Sequence, residues 1–375
     1  MSKTTLPLGL LLAVTTAFAG EPAKTVIEVE DKSWCEKFWE YPILYKNKDT
    51  FLQQFQLIGR FHGDVYTIDS NEGYDQDWVV RRLRIGAIAK LRGGWQLKVE
   101  VQFDPQSGGQ WYSGLTETSI TYTPREEFSF KVGKIPMTWT NDGWISSNNL
   151  QTLERNNLSN NLWFTQKYFT GASFSGKAEN WVYYLAVAST DVNEEFGDFD
   201  ASAFGVASIG YDFSKALGAK KALLRADYVY NDFEAQAVNT RPFDNIGSIH
   251  FEYGTEKWGF SADVTGALGV LNQGDVWGAM VMPWYNITDK FQVVGRYTHL
   301  NSNEPNSIRF NRYENTITSA RGDQYDEYYL GLNYYICGNQ LKLQTGLSYA
   351  QMDDAQPDGG AYKGWQWVSG VRFSF

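Results

Sequence analysis

Hydrophobic and polar residues alternate with a period of two along many short stretches of this chain. In "WQLKVEVQFD", Trp95, Leu97 and Val99 share one parity with further apolar residues, whereas Lys98 and Glu100 fall on the other. The stretches "RRLRIGAIAKL", "QLKLQTGLSYA" and the closing "GWQWVSGVRFSF" repeat the pattern. A period of two is typical of a β-strand whose two faces meet different environments. We therefore expect strands with one apolar and one polar face.

Sixteen stretches are predicted as strands on this basis. They span residues 54–68, 78–90, 94–104, 115–124, 127–135, 167–177, 180–190, 201–214, 221–233, 244–256, 258–269, 276–287, 290–300, 324–336, 340–350 and 364–375. Soluble proteins have strands of about 5–6 residues. A tilted strand that crosses a membrane needs about 9–11 residues, and most of the predicted strands are that long.

The connections between these strands alternate in length. Short turns such as "LRGG" and "CGNQ" alternate with longer loops, which are predicted at 69–77, 105–114, 136–166, 191–200, 234–243, 270–275, 301–323 and 351–363. An up-and-down barrel with one plain rim and one elaborated rim has this arrangement, and closure of the last strand on the first leaves no free edge. We predict an all-β fold, a transmembrane antiparallel barrel of 16 strands over residues 51–375. A soluble sandwich would show the same alternation, but the strand lengths and the turn asymmetry favour the barrel.

Two segments precede the predicted barrel. Residues 1–20 contain Lys3, an apolar run and a small-residue ending, which predict a secretory signal peptide and hence export to the outer membrane. The apolar run is too short for a membrane-spanning helix. Residues 21–50 are predicted to be a periplasmic segment, in which the spacing of Trp34 and Phe38 suits a short amphipathic helix.

Composition narrows the class of protein. Aromatic residues make up 16% of the chain, and the formal net charge of −10 argues against a nucleic-acid partner. Beyond the signal stretch, the sequence has no apolar run of about 18 residues, so no transmembrane helix is predicted. Secreted sandwiches and transmembrane barrels both fit this composition.

Several segments resemble the phosphate-selective porins O and P. The resemblance lies in "VVRRLRIGAIAKLRGGWQLKVEVQFD", in "TSITYTPREEFSFKVGKIPMTW", in "LERNNL", in "YYLGLNYYICGNQLKLQTGLSYA" and in the final "GVRFSF". It covers most of residues 51–375 and is weak between about 190 and 320. It implies a sixteen-stranded outer-membrane porin, a homotrimer in outer-membrane lipid.

The resemblance also implies that the third long loop, 136–166, folds inward and narrows the pore. Asp142, Glu154 and Arg155 are its candidate constriction residues, and a short helix is expected around 148–156. Its aromatic residues would pack it against the barrel wall; they are Trp139, Trp144, Trp163 and Phe164. A floppy external loop is the alternative.

Basic residues fall on the predicted inner face of the barrel. The candidates for pore lining and anion binding are Arg60, Arg82, Arg84, Lys98, Lys131, Arg225, Arg296 and Arg372. Arginine presents a planar fork of donors that matches phosphate and carboxylate oxygens, and clustered charge sets the ion preference of a narrow pore. A channel for small anions such as phosphate follows as one hypothesis. The other is a general porin for hydrophilic solutes, in which the basic wall lies opposite Asp142 and Glu154. This hypothesis stays open because inward acids such as Glu100 and Asp263 give the lumen charges of both signs.

The two cysteines, Cys35 and Cys337, are both predicted on the rim with the short turns. An exported protein enters an oxidising compartment, so we predict that they form a disulfide; two free thiols are the alternative.

Catalysis has little support in the residues. The chain has only three histidines, His62, His250 and His299, and it contains neither a G-x-S-x-G nucleophile motif nor a cluster with metal-ligand spacing. We predict no catalytic residues, no metal and no cofactor. An adhesin barrel is a further alternative, but it would not need basic residues across the middle of the wall.

Overall fold

The computed structural model of the protein describes residues 33–162, 168–191, 195–200, 202–234, 240–355 and 360–375. The predicted signal peptide and the start of the predicted periplasmic segment lie outside the described residues, as do Trp163 and Phe164.

Nearly all regular structure is β. The strands, in chain order, are β1 Ile43–Lys46, β2 Leu52–Ser70, β3 Gly73–Leu91, β4 Trp95–Phe103, β5 Tyr112–Arg125, β6 Phe128–Pro136, β7 Tyr168–Ala178, β8 Trp181–Ser189, β9 Ala203–Asp212, β10 Lys221–Asn231, β11 Phe243–Gly254, β12 Trp258–Gly269, β13 Val276–Asn286, β14 Phe291–Ser302, β15 Ile308–Arg309, β16 Arg321–Gly322, β17 Gln324–Cys337, β18 Leu341–Ala355 and β19 Gly360–Ser374. The helices are α1 Trp34–Phe38, α2 Asn141–Trp144, α3 Asn157–Leu162 and α4 Ser214–Leu217, with a 3₁₀ turn at Glu314–Thr316. In the described part of the chain, no helix has both the length and the apolar character needed to cross a membrane.

Sixteen strands close into a barrel. Strands β2 to β14 and β17 to β19 each pair antiparallel with the next, and β19 pairs with β2 from Gly364 opposite Ser70 to Ser374 opposite Arg60. The all-β prediction of a 16-stranded antiparallel barrel is confirmed. Apolar and polar residues alternate in the final strand because one of its faces points outward and the other into the lumen. This strand forms the seam of the barrel with β2.

The two faces of the wall differ as the alternation predicts. On β4, Val99 is 47% exposed on the outside, whereas its neighbour Glu100 is 4% exposed within the lumen. Paired aromatic rings surround the outer surface near the rim with the short turns. They are Trp95 with Tyr122, Phe130 with Phe174, Trp181 with Tyr211, Trp258 with Tyr253, and Phe291 with Tyr334. Such a belt suits the boundary between lipid tails and water.

The first hairpin is longer than predicted. The stretch 69–77 was expected to be a loop, but β2 and β3 are 19 residues each and are joined by two residues only. Tyr66 donates to Asp75 across the pair at 2.9 Å, and Gly73 takes a positive φ of 146° at the turn. The prediction was wrong because the apolar and polar faces are exchanged at this end of the hairpin: Tyr66 and Ile68 are buried on the inner face in a cluster with Tyr313, whereas Asp69 and Gln76 are exposed.

The segment before the barrel attaches to its short-turn rim. Ser33 and Glu36 form a capping box at the start of α1, so the amphipathic spacing corresponds to a short helix. Strand β1 then pairs with the first residues of β2. Cys35 and Cys337 form a disulfide with their Cα atoms 5.7 Å apart, which ties α1 to the turn between β17 and β18.

Electrophoresis tests this disulfide. Fully denatured wild-type protein should migrate faster without reductant than with it, because a bridge between residues 302 apart in sequence keeps the unfolded chain compact. The variant Cys337→Ser should show a single mobility in both lanes. Equal mobility of the wild-type protein with and without reductant would contradict the pairing.

Candidate pore and its constriction loop

The loop between β6 and β7 is called the lumen loop below, and its described residues, 137–162, cross the inside of the barrel. Its residues from Thr140 to Leu162 are mostly buried. Trp139 is completely buried, donates from Nε1 to Leu162 O at 3.0 Å, and contacts the ring of Phe204 on β9. The loop therefore packs against the wall instead of extending from the rim.

Carboxylates on one side of the wall hold backbone N–H groups of the lumen loop. Thr140 N donates to Asp227 Oδ2 at 2.9 Å, and Asn141 N donates to Asp263 Oδ2 at 2.7 Å. The indole of Trp144 also donates to Asp227. Thr140 has a positive φ of 63°, a conformation that costs a non-glycine residue energy and needs such contacts to persist.

Donors on the opposite side of the wall hold carbonyl groups of the same loop. Lys342 Nζ donates to Leu150 O at 2.7 Å, and two further carbonyls accept from arginines. The bonds are Arg372 Nη2 to Leu153 O at 3.2 Å and Arg296 Nη1 to Glu154 O at 2.9 Å. The amides of Asn333 and Gln344 bind neighbouring carbonyls.

These contacts explain why residues 148–156 are not the predicted helix. A helix needs its carbonyls for bonds to N–H groups four residues on, whereas here the carbonyls accept from wall side chains. The helical turns α2 and α3 lie on either side of this irregular stretch.

Three predicted anion-binding residues are engaged in supporting the lumen loop. Arg296 binds Glu327 Oε1 at 2.7 Å as well as the loop, and Arg372 binds Asp64 as well as the loop. Arg225 lies 3.9 Å over the ring of Trp144. None of the three lines the open chamber among the described residues.

The open chamber lies between the lumen loop and the wall formed by β2 to β6. Its volume is about 950 Å³. Nine basic side chains line it: Arg60, Arg81, Arg82, Arg84, Lys98, Lys134, Arg155, Arg241 and Arg312. Its three acidic residues are Asp104, Glu117 and Glu195. Because charge in a narrow aqueous space is poorly screened, this excess creates a positive potential.

Some of this positive charge is compensated inside the chamber. Glu117 pairs with both Lys98 and Lys131 at 2.8 Å, so Lys131 contacts a chamber carboxylate although it does not line the chamber itself. Arg84 lies 3.4 Å from Glu100 and donates to Tyr168 Oη at 2.8 Å.

Two other arginines have neutral partners only, within the described residues. Arg60 Nη1 donates to Ser147 Oγ at 2.6 Å. Arg82 Nη1 lies 3.4 Å from His62 Nδ1, and the second ring nitrogen of His62 lies 3.2 Å from Asn148 Oδ1. Neither arginine thus has a carboxylate as hydrogen-bond partner among the described residues, and both line the chamber.

Sequence reasoning missed Arg81, which a β-bulge turns into the lumen. His62 pairs with Arg82, but the next residue, Gly63, pairs with Val80, so Arg81 is the extra residue of the bulge. Arg81 forms a two-point ion pair with Glu154 of the lumen loop at 2.6 and 3.1 Å. A strict period of two places Arg81 outside, and nothing in the run "RRLR" marks the bulge.

The predicted loop acids do not face the chamber as free charges. Asp142 is buried, and its Oδ2 accepts from Asn156 N at 2.7 Å within the loop itself. Glu154 is bound by Arg81, which holds the pKa of its carboxyl well below the ordinary range despite the opposing effect of burial. Arg155 lines the chamber and donates to two loop carbonyls; burial lowers its pKa to about 10.

A second basic chamber of about 550 Å³ lies towards the rim with the long loops. Five arginines and a single carboxylate, Glu154, line it; the arginines are Arg81, Arg241, Arg309, Arg312 and Arg321. Burial and the neighbouring Arg309 and Arg321 lower the pKa of Arg241 to about 9, so it stays charged at neutral pH. Arg81, Arg241 and Arg312 line both chambers, so the two basic chambers adjoin each other.

The sequence of this barrel matches a known family over more than half of its length. The family model of the phosphate-selective porins O and P matches residues 55–282. This chain belongs to that family. The porin is therefore an outer-membrane channel protein. Among proteins with curated descriptions, none matches the sequence.

Solved porin structures share the fold of this porin. The outer membrane channel DcaP of Acinetobacter baumannii is 13% identical, with 88% of this chain and 99% of that chain covered and a TM-score of 0.59. The anion-selective porin from Comamonas acidovorans is 11% identical, with 86% and 99% covered and a TM-score of 0.60. The trimer form of OmpT of Vibrio cholerae is 13% identical, with 86% and 99% covered and a TM-score of 0.53.

The long loop between β14 and β17, residues 303–323, is linked to the lumen loop through residues of the wall. Tyr313 Oη donates to Asp64 Oδ2 at 2.6 Å, and Asp64 in turn binds Arg372, which holds the carbonyl of Leu153. Close to this link, Tyr325 Oη donates to Glu314 at 3.0 Å. The packing of loop 303–323 and the position of the lumen loop thus both depend on Asp64 and Arg372.

Glu314 predicts a pH dependence for the packing of loop 303–323. Its carboxyl is buried, with Tyr325 and Asn311 N as neutral donors; burial and then the charge of Glu327 raise its pKa to about 7. The packed loop therefore binds a proton that the open loop releases between about pH 4.5 and 7. Its stability falls over that range as the pH rises, by on the order of 3 kcal/mol, since one pKa unit is worth about 1.4 kcal/mol.

Hydrogen exchange of residues 303–323, corrected for the intrinsic rate, measures this effect. Wild-type protection should be weaker at pH 8 than at pH 5, and Glu314→Gln should remove the difference. The same pH response in both proteins would show that another group is responsible.

Proposed function

We propose that this porin is a water-filled outer-membrane channel for passive diffusion of small hydrophilic solutes, with a preference for anions such as phosphate. One observation carries the proposal: nine basic residues against three acidic ones line the chamber between the lumen loop and the wall. The second chamber extends this excess of arginine towards the rim with the long loops. Arginine binds phosphate and carboxylate groups through paired donors.

The arrangement of the loop acids argues against a general porin with opposed charges. That alternative needs free carboxylates on the lumen loop facing the basic wall. Asp142 is instead bonded inside the loop, and Glu154 is neutralised by Arg81. The field across the chamber is thus dominated by one sign of charge, which favours anions over polar neutral solutes.

The assembly and the export route belong to the same proposal. A homotrimer is supported by the trimer form of a protein with this fold. Export is supported by the signal-like residues 1–20, which precede the barrel in the sequence. In the outer membrane, the short turns would face the periplasm and the long loops the exterior.

Reversal potentials in planar bilayers with asymmetric KCl test the anion preference. The wild-type channel should be anion-selective, and Arg82→Ala with Arg84→Ala should lower the chloride-to-potassium permeability ratio by roughly threefold or more, because both arginines line the chamber and charge in a confined pore sets the selectivity. Arg125→Ala is the matched control, since Arg125 lies exposed at a short turn and its removal should leave the ratio unchanged.

The same bilayers test whether phosphate binds inside the channel. Millimolar phosphate should reduce the chloride current through the wild-type channel, and less so through the double variant. A cation-selective wild-type channel, or a ratio unchanged in the double variant, would contradict the proposal.

A further inference from the structure

The segment before the barrel, residues 33–51, is fixed to the outer edge of the short-turn rim and is called the N-terminal lip below. The disulfide between Cys35 and Cys337 holds its first turn. Trp39 Nε1 donates to Ser374 O at 2.6 Å, and Leu57 N donates to Pro42 O at 2.9 Å. The lip therefore has a defined position across the end of the seam between β19 and β2.

The lip presents an unusual number of large apolar side chains to its surroundings. Trp34 is 59% exposed, Tyr41 79%, Leu44 59% and Phe51 70%, and Phe38 is 43% exposed. Exposure of several such side chains to water within one short segment is unfavourable, because apolar surface is stabilised by removal from water. Something other than water is expected to cover this surface.

Contacts of the lip show which environment it adjoins. Phe373 points outward from the last strand, since its neighbours Arg372 and Ser374 are buried towards the lumen. The rings of Phe38 and Trp39 lie 6.2 and 5.9 Å from the ring of Phe373. The aromatic surface of the lip is thus continuous with the outer wall, at the rim where the paired aromatic belt lies.

The charges of the lip are balanced. Residues 33–51 contain three lysines and three carboxylates, so their charges cancel; they are Lys37, Lys46, Lys48, Glu36, Glu40 and Asp49. Attraction to anionic lipid needs an excess of basic residues, which is not found in residues 33–51. Tyrosine and tryptophan instead suit the boundary between headgroups and acyl chains, because each combines an apolar ring with a polar atom.

We propose that the N-terminal lip is a lipid-binding surface, which inserts Trp34, Phe38, Tyr41 and neighbouring apolar side chains into the interface of the periplasmic leaflet. It extends the aromatic belt below the seam of the barrel. Its partner is the zwitterionic interface of the bilayer itself, and the insertion does not depend on anionic lipid. The disulfide keeps the surface against the membrane.

Fluorescence quenching in proteoliposomes tests the proposal. The full chain carries Tyr41→Cys labelled with a polarity-sensitive fluorophore, which is selective because the native cysteines are paired. Two matched controls carry the same label at Lys215→Cys, exposed in α4 on the same rim, and at Ile249→Cys, 60% exposed on the outer wall. Conductance of each preparation confirms that the barrel has formed.

The label at position 41 should be quenched by lipid spin-labelled near the headgroup at least threefold more than the label at 215, and it should be shielded from aqueous iodide. Quenching should be equal in pure phosphatidylcholine and with one-third phosphatidylglycerol added. Free access of iodide to position 41 would overturn the proposal. Shielding from both iodide and spin-labelled lipid would also overturn it, because a second copy of the chain would then cover the lip.

Discussion

The structure depends on the hydrogen bonds that side chains of the wall make to the backbone of a loop that crosses the lumen. A backbone that leaves the sheet at Pro136 and enters a buried space must find partners for its N–H and C=O groups. Asp227 and Asp263 accept from N–H groups on one side. On the far side, Lys342 and the arginines of β14 and β19 donate to carbonyls. The barrel is thus narrowed by a loop bound at both ends of its path.

This constraint divides the basic residues of the lumen into two sets. Residues that reach the loop's carbonyls, such as Arg296 and Arg372, are bonded on several sides and cannot turn towards a passing ion. Arg60 and Arg82, on the adjoining strands β2 and β3, have no carboxylate among their hydrogen-bond partners in the described residues, and both line the open chamber. Support of the loop's carbonyls and the charge that lines the chamber therefore come from different residues of one wall, which lie side by side at the seam.

The fold was largely predictable because lipid outside and water inside impose a period of two on every strand. The exceptions have local physical causes. A bulge reversed the side on which Arg81 lies, and the end of the first hairpin buries apolar residues on its inner face against loop 303–323. The roles of Arg296 and Arg372 could not be predicted, since a period of two identifies the inner face but not which inward residue meets the loop. Which inward side chains contact the lumen loop is decided only when the barrel closes.

The anchoring of the lumen loop is tested most directly by amide exchange at Thr140 and Asn141 in the detergent-solubilised porin. Both N–H groups donate to buried wall carboxylates, so they should exchange as slowly as amides in the neighbouring strands β10 and β12. Exchange as fast as in the exposed loop at 105–110 would contradict the account, because the loop would then be free in the lumen and the division of the basic residues would not hold.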